Sequence, residues 1–341
     1  MSGSLLGGRA MSRRGFLSAG VMGIGAAALV AACGTDDKSA NGDATAASKG
    51  HFPATVEDKF GSVTVKKAPS RVLSLGRTDH DVLLALGIVP VGVFQFVPTM
   101  KHGVGVWAED RLKGATPKFF RPPFNFEEVG ALEPDVIFNV QSSGDDAEYK
   151  TLNKYAPTIG LPKNTAPNQV PWQTSTKLIA TALGQPDQGD KLVAQTQAGL
   201  SAVAKENPKF NGRTVSILLA YGGKVGVYTA NDTRMQVVTA WGFKPSPYVK
   251  SLGTTDYFVD LSPEKMDDAD ADLVIVLSQQ GRPKKDTFAQ YPQIERMAAN
   301  KEGRMVYPED PNIGLALSAA SVLSIPYVVH ELVPLVAKTL S

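Results

Sequence analysis

The chain has 341 residues, enough for two cores of ordinary domain size. Apolar residues make up 43 % and charged residues 20 %, a globular balance, and a formal charge of +2 leaves no basic footprint for nucleic acid. One cysteine and four histidines exclude an internal disulfide framework, a CxxC redox pair and a cysteine-rich zinc site.

Residues 1–32 read as an export signal. Two arginines precede an apolar run from Gly15 to Ala32 that is rich in Gly and Ala and weakly hydrophobic for a bilayer span. Ser12-Arg13-Arg14-Gly15-Phe16-Leu17 resembles a twin-arginine signal. Val30-Ala31-Ala32-Cys33 resembles a bacterial lipobox, which makes Cys33 the expected lipidation site. Residues 33–52 are polar and serve as a flexible tether, spanning on the order of 25 Å. Removing residues 1–32 takes three arginines and no acid, so 35 basic and 33 acidic residues become 32 and 33, a mature charge of −1.

A first half begins at Arg71. Val72 to Leu75 reads as a buried strand, Gly76 breaks it, and Thr78 and Asp79 are N-cap candidates for a helix carrying Val82, Leu83 and Leu86. A second half begins at Arg213 with another apolar strand and a helix ending Ala240-Trp241-Gly242-Phe243, as the first ends Ala85-Leu86-Gly87-Ile88. Strands alternating with helical patterns predict parallel α/β units in each half.

One short sentence is written twice. Asn125-Phe-Glu-Glu-Val-Gly-Ala-Leu-Glu-Pro-Asp-Val-Ile-Phe overlays Ser262-Pro-Glu-Lys-Met-Asp-Asp-Ala-Asp-Ala-Asp-Leu-Val-Ile without a gap, bringing Glu127 onto Glu264 and Asp135 onto Asp272. Asn125 and Ser262 are N-cap candidates, and Glu127 and Glu264 stand at the same early position of two equivalent helices. Each glutamate would complement a helix dipole by about 0.3–1 kcal/mol. Duplication alone also explains their equivalence, and spacing does not separate these readings.

Between the halves, Gly184 and Pro186 divide a helical stretch in two. The second helix, near Asp187 to Asn207, carries Leu192, Val193, Leu200 and Val203 and is about 30 Å long, a strut between lobes. The expected domains are an N-terminal α/β lobe over 53–171, a helical connector over 172–211 and a C-terminal α/β lobe over 212–341.

Six phrases in order carry a resemblance: "RVLSLG…VLLALGIVPVGV", "NFEEVGALEPDVIF", "YKTLNKYAPTI", "W…TSTKLIATALGQPDQGDKLV", "SPEKMDDADADLVIV" and "KEGRMVYPEDP". From Phe52 onward the chain resembles the iron–siderophore and cobalamin substrate-binding proteins of ABC importers, nearest to actinobacterial members of the ferric-enterobactin-type branch. The resemblance implies a class III substrate-binding protein: an α/β fold of two Rossmann-like lobes joined by a single long connecting helix, with ligand in the cleft between them. It implies no catalysis and no resident cofactor. It also implies that Glu127 and Glu264 face arginine pockets on a two-fold symmetric permease dimer. The working protein would be a monomer, lipid-anchored on the outer face of the cytoplasmic membrane, with no nucleic-acid partner.

Open α/β lobes bind ligands at the carboxyl ends of their strands. The candidates there are Arg77, Arg121, Arg234 and Arg282, with Trp107, Tyr221 and Tyr228 as flanking aromatics. Guanidinium suits the flat, delocalised negative charge of a ferric catecholate or mixed chelate. By resemblance, Arg121 matches an arginine that contacts hydroxamate siderophores and Arg234 one used by catecholate binders. The tyrosine that the hydroxamate branch places after the 136–140 strand is absent here. Each arginine also has the plain reading of a solvated surface charge, and each aromatic that of core.

Enzyme motifs such as G-x-S-x-G, H-E-x-x-H and G-x-x-x-x-G-K-[ST] are missing. His80 and His102 are isolated, His51 lies in the tether and His330 in the terminal helical pattern, so direct metal binding is not expected. A haem or cobalamin ligand on the same scaffold is the alternative, with Tyr221, Tyr228 or His80 as the axial candidates haem would need.

Overall fold

The computed structural model describes residues 50–253, 256–278 and 281–341. The signal expected over residues 1–32, Cys33 and nearly all of the tether lie outside them.

The N-terminal part opens with a hairpin, β1 (Ala54–Asp58) and β2 (Gly61–Val65), that stands apart as a two-stranded sheet. Asp58, fully buried, ties it down: one carboxylate oxygen accepts from the turn N–H groups of Phe60 and Gly61, the other from Gly160 N at 2.7 Å. Next come β3 (Val72–Ser74), α1 (Asp79–Ala85), β4 (Gly92–Phe94), β5 (Lys118–Phe120), α2 (Phe126–Ala131), β6 (Val136–Phe138), α3 (Asp146–Leu152) and β7 (Thr158–Ile159). The five strands after the hairpin pair in parallel in the order β5-β4-β3-β6-β7. Helices cover both faces, so the central strands are apolar without alternation. Val72, Val136 and Phe138 enter the large core, while Leu73 and Ile137 enter a second cluster with Phe120, Val129 and Leu152.

The connector is α4 (Trp172–Ala182) and α5 (Pro186–Glu206). Gly184, at φ +68°, makes the turn between them, and Pro186 takes the first helical position of α5, where its missing N–H costs nothing. The 21 residues of α5 span about 32 Å. Leu200 and Val203 are buried on it, with Leu192 and Val193 packed at its flank. Trp172, 5 % exposed, sits in the same core. That core runs without a break from Val72 and Phe138 through Ile179 and Leu200 to Val215 and Ile275.

The C-terminal part contains β8 (Thr214–Tyr221), β9 (Lys224–Tyr228), α6 (Thr233–Thr239), β10 (Lys244–Pro245), α7 (Pro247–Ser251), β11 (Phe258–Leu261) and β12 (Leu273–Ser278). It ends with α8 (Lys284–Gln290), α9 (Pro292–Arg296), α10 (Ala298–Lys301), β13 (Met305–Val306), α11 (Pro311–Ala319) and α12 (Ser324–Thr339). The strand order is β11-β9-β8-β12-β13, with β10 beside the start of β8. Here the parallel expectation meets an exception. β8, β10, β12 and β13 are parallel, but β9 is antiparallel to both β8 and β11. The cause is local: Gly222 and Gly223 stand at φ +50° and +82°, the two left-handed positions a tight hairpin requires between Tyr221 and Lys224.

The repeated sentence folds unequally. Asn125 caps α2 with its side chain, accepting from Glu127 N and Glu128 N. Ser262 makes no such bond, and the segment after it forms two 3-10 turns, Pro263–Lys265 and Asp267–Ala269, rather than an α-helix. Three acids within Asp267-Asp268-Ala269-Asp270 and the missing N–H of Pro263 disfavour a longer helix there. The aspartates that close each sentence act alike. Asp135 accepts from Ser70 N, Ser70 Oγ and Arg71 N, while Asp272 accepts from Thr214 N and Thr214 Oγ. Each ties the strand that closes the repeat to the start of its neighbour in the sheet, β3 in one lobe and β8 in the other.

Candidate functional site

The parallel strands of the N-terminal sheet deliver Arg77, Gln95, Phe96 and Arg121 to one carboxyl edge, after β3, β4 and β5. Arg77 lies with its guanidinium carbon 5.1 Å from the Phe96 ring centre. Its Nε is buried, and the side chain makes no hydrogen bond or ion pair among the described residues. Burial, and then the like charge of Arg234, hold its pKa below the ordinary guanidinium value. That coupling brings the two arginines, one from each lobe, into a single field.

Arg234 is 7 % exposed and heavily held. Its NH1 donates to Asp232 at 2.8 Å, its Nε to Ser318 Oγ on α11 at 3.1 Å, and its guanidinium lies 4.0 Å from the centre of the Tyr228 ring. Burial opposes its charge, but Asp232, Tyr228 and Tyr257 more than offset that, and its pKa is raised. Asp232 also caps α6 by accepting from Arg234 N, so one carboxylate sets both the backbone and the side chain of this arginine.

An aromatic run leads to the pair. Phe258 lies between Tyr221, at 5.4 Å, and Tyr228, at 5.0 Å. Gly226 makes room for it, since a Cβ there would fall 2.1 Å from the Phe258 ring. The Tyr221 hydroxyl donates to Asp260, and that bond, with burial, pushes its pKa up to about 12. Tyr228 is raised by burial, with Arg234 pulling the other way.

The structure thus brings Arg77, Arg234 and Tyr228 together, with Tyr221 at the end of the aromatic run. Arg121 stands exposed on the same edge as Arg77, its guanidinium donating to Gln95. Arg282 is exposed and bonded to Gln290 on α8. Trp107 lies elsewhere: its Nε1 donates to Asp81 at 2.9 Å and its ring packs 6.0 Å from that of Tyr327. There it lines a cavity of about 580 Å³ with Leu192, Thr196 and Leu200 of the connector. Phe96 and Tyr257 are residues the sequence reading did not single out. Tyr257 is 49 % exposed, and its phenol bears on Arg77, Tyr228 and Arg234 alike. No local signal marks either one, because their neighbours come from other strands.

Glu127 and Glu264 are both exposed and make no side-chain hydrogen bond or ion pair among the described residues. Their neighbours are engaged, Glu128 with Lys118 at 2.8 Å and Lys265 with Asp268 at 3.6 Å. No group of His, Cys, Asp and Glu that could hold a metal ion occurs among the described residues, and none of their helices is long and apolar enough to cross a membrane.

Two α/β lobes and a connecting helix define a bilobal binding protein with a class III architecture. The chain belongs to the family described as periplasmic binding protein, whose model matches residues 74–311. It is 25 % identical over 289 residues to the Fe(3+)-citrate-binding protein YfmC of Bacillus subtilis, covering 83 % of this chain and 85 % of that one. Among solved structures, a periplasmic solute binding protein of Mycobacterium smegmatis matches with a TM-score of 0.74 at 26 % identity, covering 84 % of this chain and 99 % of that one. PiaA of Streptococcus pneumoniae in complex with ferrichrome matches with a TM-score of 0.70 at 28 % identity, covering 84 % and 98 %.

Proposed function

We propose that this protein captures a negatively charged ferric chelate in the cleft between its lobes and delivers it to an ABC-type permease. The carrying observation is that Arg77 of one lobe lies in the field of Arg234 of the other, beside Tyr228. Arg77 has no acidic partner of its own, and Arg234 shares a single carboxylate, Asp232. A site that holds two guanidiniums against one acid is completed by an anion. Arg121 on the same edge adds to that charge. The chelate brings its own iron ligands, so a cleft without metal-binding side chains is sufficient. A relative that binds Fe(3+)-citrate and a structural neighbour that holds ferrichrome support this class of ligand.

Haem needs an axial Tyr or His. The Tyr221 hydroxyl is committed to Asp260 and His80 is 3 % exposed, which favours the chelate. No covalent step is required: the protein binds, docks and releases, without enzymatic activity or a resident cofactor. Glu127 and Glu264, unpaired and exposed, serve as the docking carboxylates for the permease. Export and lipidation at Cys33 would hold the protein on the outer face of the cytoplasmic membrane, within reach of that permease. Residues 53–171, 172–211 and 212–341 are its N-terminal lobe, connector and C-terminal lobe.

Titration of the intrinsic tryptophan fluorescence with ferric citrate, ferric catecholate, ferric hydroxamate, haem and cobalamin tests the reading. Saturable quenching by an anionic ferric chelate at micromolar concentrations or below is expected. Tight quenching by haem or cobalamin alone would overturn it.

A further inference from the structure

Asp81 is fully buried on α1, an N-terminal-lobe element, and its Oδ2 takes two donors. One is Trp107 Nε1, from the same lobe; the other is the hydroxyl of Ser321, which lies 240 residues away between α11 and α12. Ser321 is 4 % exposed and its Oγ also accepts from Leu323 N and Ser324 N, where α12 begins. A buried carboxylate of one lobe is therefore bonded to the backbone frame of the other. Among the described residues no other hydrogen-bond partner of Asp81 comes from the C-terminal lobe: His80, its sequence neighbour, stands 3.6 Å from Oδ1, which accepts no hydrogen bond.

The link joins α1, which follows Arg77 in the chain, to the end of α11, whose Ser318 holds Arg234 of α6. Arg77 precedes Asp81 by four residues, at the turn from β3 into α1. Ser318, which holds Arg234 Nε, precedes Ser321 by three residues, at the end of α11. So the Asp81–Ser321 bond lies four residues from Arg77 on one side and three residues from the Ser318 support of Arg234 on the other. We propose that Asp81 is a positioning residue that, through Ser321, sets the resting spacing of the two lobes and with it the distance between the anion-binding arginines. This rests on the proposed cleft for its consequence in affinity, but not for its consequence in geometry. Charge-assisted hydrogen bonds in a buried setting are among the stronger ones available for such a tether. With it cut, the free protein samples wider lobe separations, and ordering them again on binding weakens affinity.

The test measures inter-lobe distance in the ligand-free full chain. Labels are placed at Lys154→Cys and Lys250→Cys, both exposed, in a Cys33→Ser background. Ser321→Ala is expected to lengthen and broaden the distance distribution. Asp81→Asn, which leaves the start of α12 capped, is expected to shift it the same way by less. Trp107→Phe removes only the same-lobe donor, keeps an aromatic ring beside Tyr327 of α12, and is expected to leave the distribution as in the parent. Titration with ferric citrate is expected to show affinity about 10-fold weaker for Ser321→Ala and unchanged when the label distance is unchanged. An unaltered distribution in both Ser321→Ala and Asp81→Asn overturns the proposal, as does an equal shift in Trp107→Phe, which would mark general loosening. If ferric citrate fails to bind the parent, the distance arm still decides, and only the ligand reading is lost.

Discussion

The two lobes share a phrase and arrive at different sheets. The N-terminal lobe keeps five parallel strands, and Arg77 and Arg121 leave them at the carboxyl edge. The C-terminal lobe turns back at Gly222–Gly223 and inserts an antiparallel strand beside β8. That hairpin is what places Tyr221 and Tyr228 on one face with Phe258, and it carries the chain on to Asp232 and Arg234. Duplicated scaffolding, such as the Asp135 and Asp272 clamps, thus tolerates unequal elaboration. The clamp acts at the solvent-exposed start of a strand, whereas the ligand edge lies at its other end. The arginines divide in the same way. Arg77 is held loosely, by an aromatic ring, while Arg234 is fixed by an acid, a hydroxyl and a ring.

The largest effect expected from breaking the symmetry concerns docking. Reversing charge at both Glu127 and Glu264 should abolish chelate uptake by cells while leaving the affinity of the isolated protein intact. Single reversals should each reduce uptake, and unchanged uptake in the double variant would remove the docking role.

The asymmetry of the arginines ranks second. Arg234→Gln leaves Asp232 buried and unpaired, so a loss of roughly 3–5 kcal/mol of stability is expected in urea unfolding. Arg77→Gln removes a charge that has no acid of its own, and stability should hardly change. Both should weaken binding of an anionic ferric chelate by about 10- to 100-fold, read by titration. Equal stability losses would show that Arg77 has a partner of its own.

Acidic groups of the two lobes should respond to pH with opposite signs. Burial pushes the Asp79 carboxyl up to about 6, against the pull of the Val140 and Gln141 N–H groups. A folded-state pKa above the ordinary aspartate value of 3.8 contributes stability that is full below pH 3.8 and lost as pH rises through 6. The stability advantage of the wild type over Asp79→Asn should therefore shrink between about pH 4 and pH 7, by up to about 3 kcal/mol. Asp272 shifts downward because Thr214 N–H bonds its carboxylate, so its contribution is present at neutral pH and fades as the medium becomes more acidic. Parallel melts of Asp79→Asn and Asp272→Asn across that range check both signs.

The smallest expected effect sharpens the equivalence itself. Asp135→Ala and Asp272→Ala should each cost about 1 kcal/mol, because the freed strand N–H groups lie near water. A several-fold difference in denaturant midpoint shift between them would mean that the two clamps are not alike.

The buried strands around Val72, Val136, Ile217 and Leu273 were legible because a parallel strand covered on both faces is a continuous apolar run. The connector break was legible at Gly184 and Pro186, whose backbone limits are intrinsic. The Gly222–Gly223 hairpin had a signal, two adjacent glycines between alternating apolar residues, that a parallel α/β reading overrode. The 3-10 turns after Ser262 were missed because cap chemistry alone does not guarantee the bond it permits. Among the candidate site residues, strand-end position nominated Arg77 and Arg121, which leave β3 and β5 at one edge, while Arg234 stands on α6. Trp107 was nominated as a flanking aromatic; its indole bonds Asp81 of α1 and lines a cavity with residues of the connector.

By itself, the order of apolar runs, breakers and repeated phrases determined two α/β lobes and a helical strut, because strands, turns and helices are set by local patterns of side chains. Which groups face one another was decided only by the tertiary structure. Arg77 in the field of Arg234, Asp81 bonded to Ser321 and Phe258 between two tyrosines join segments up to 240 residues apart, and no local propensity specifies a relation that exists only once both lobes have packed on a common core.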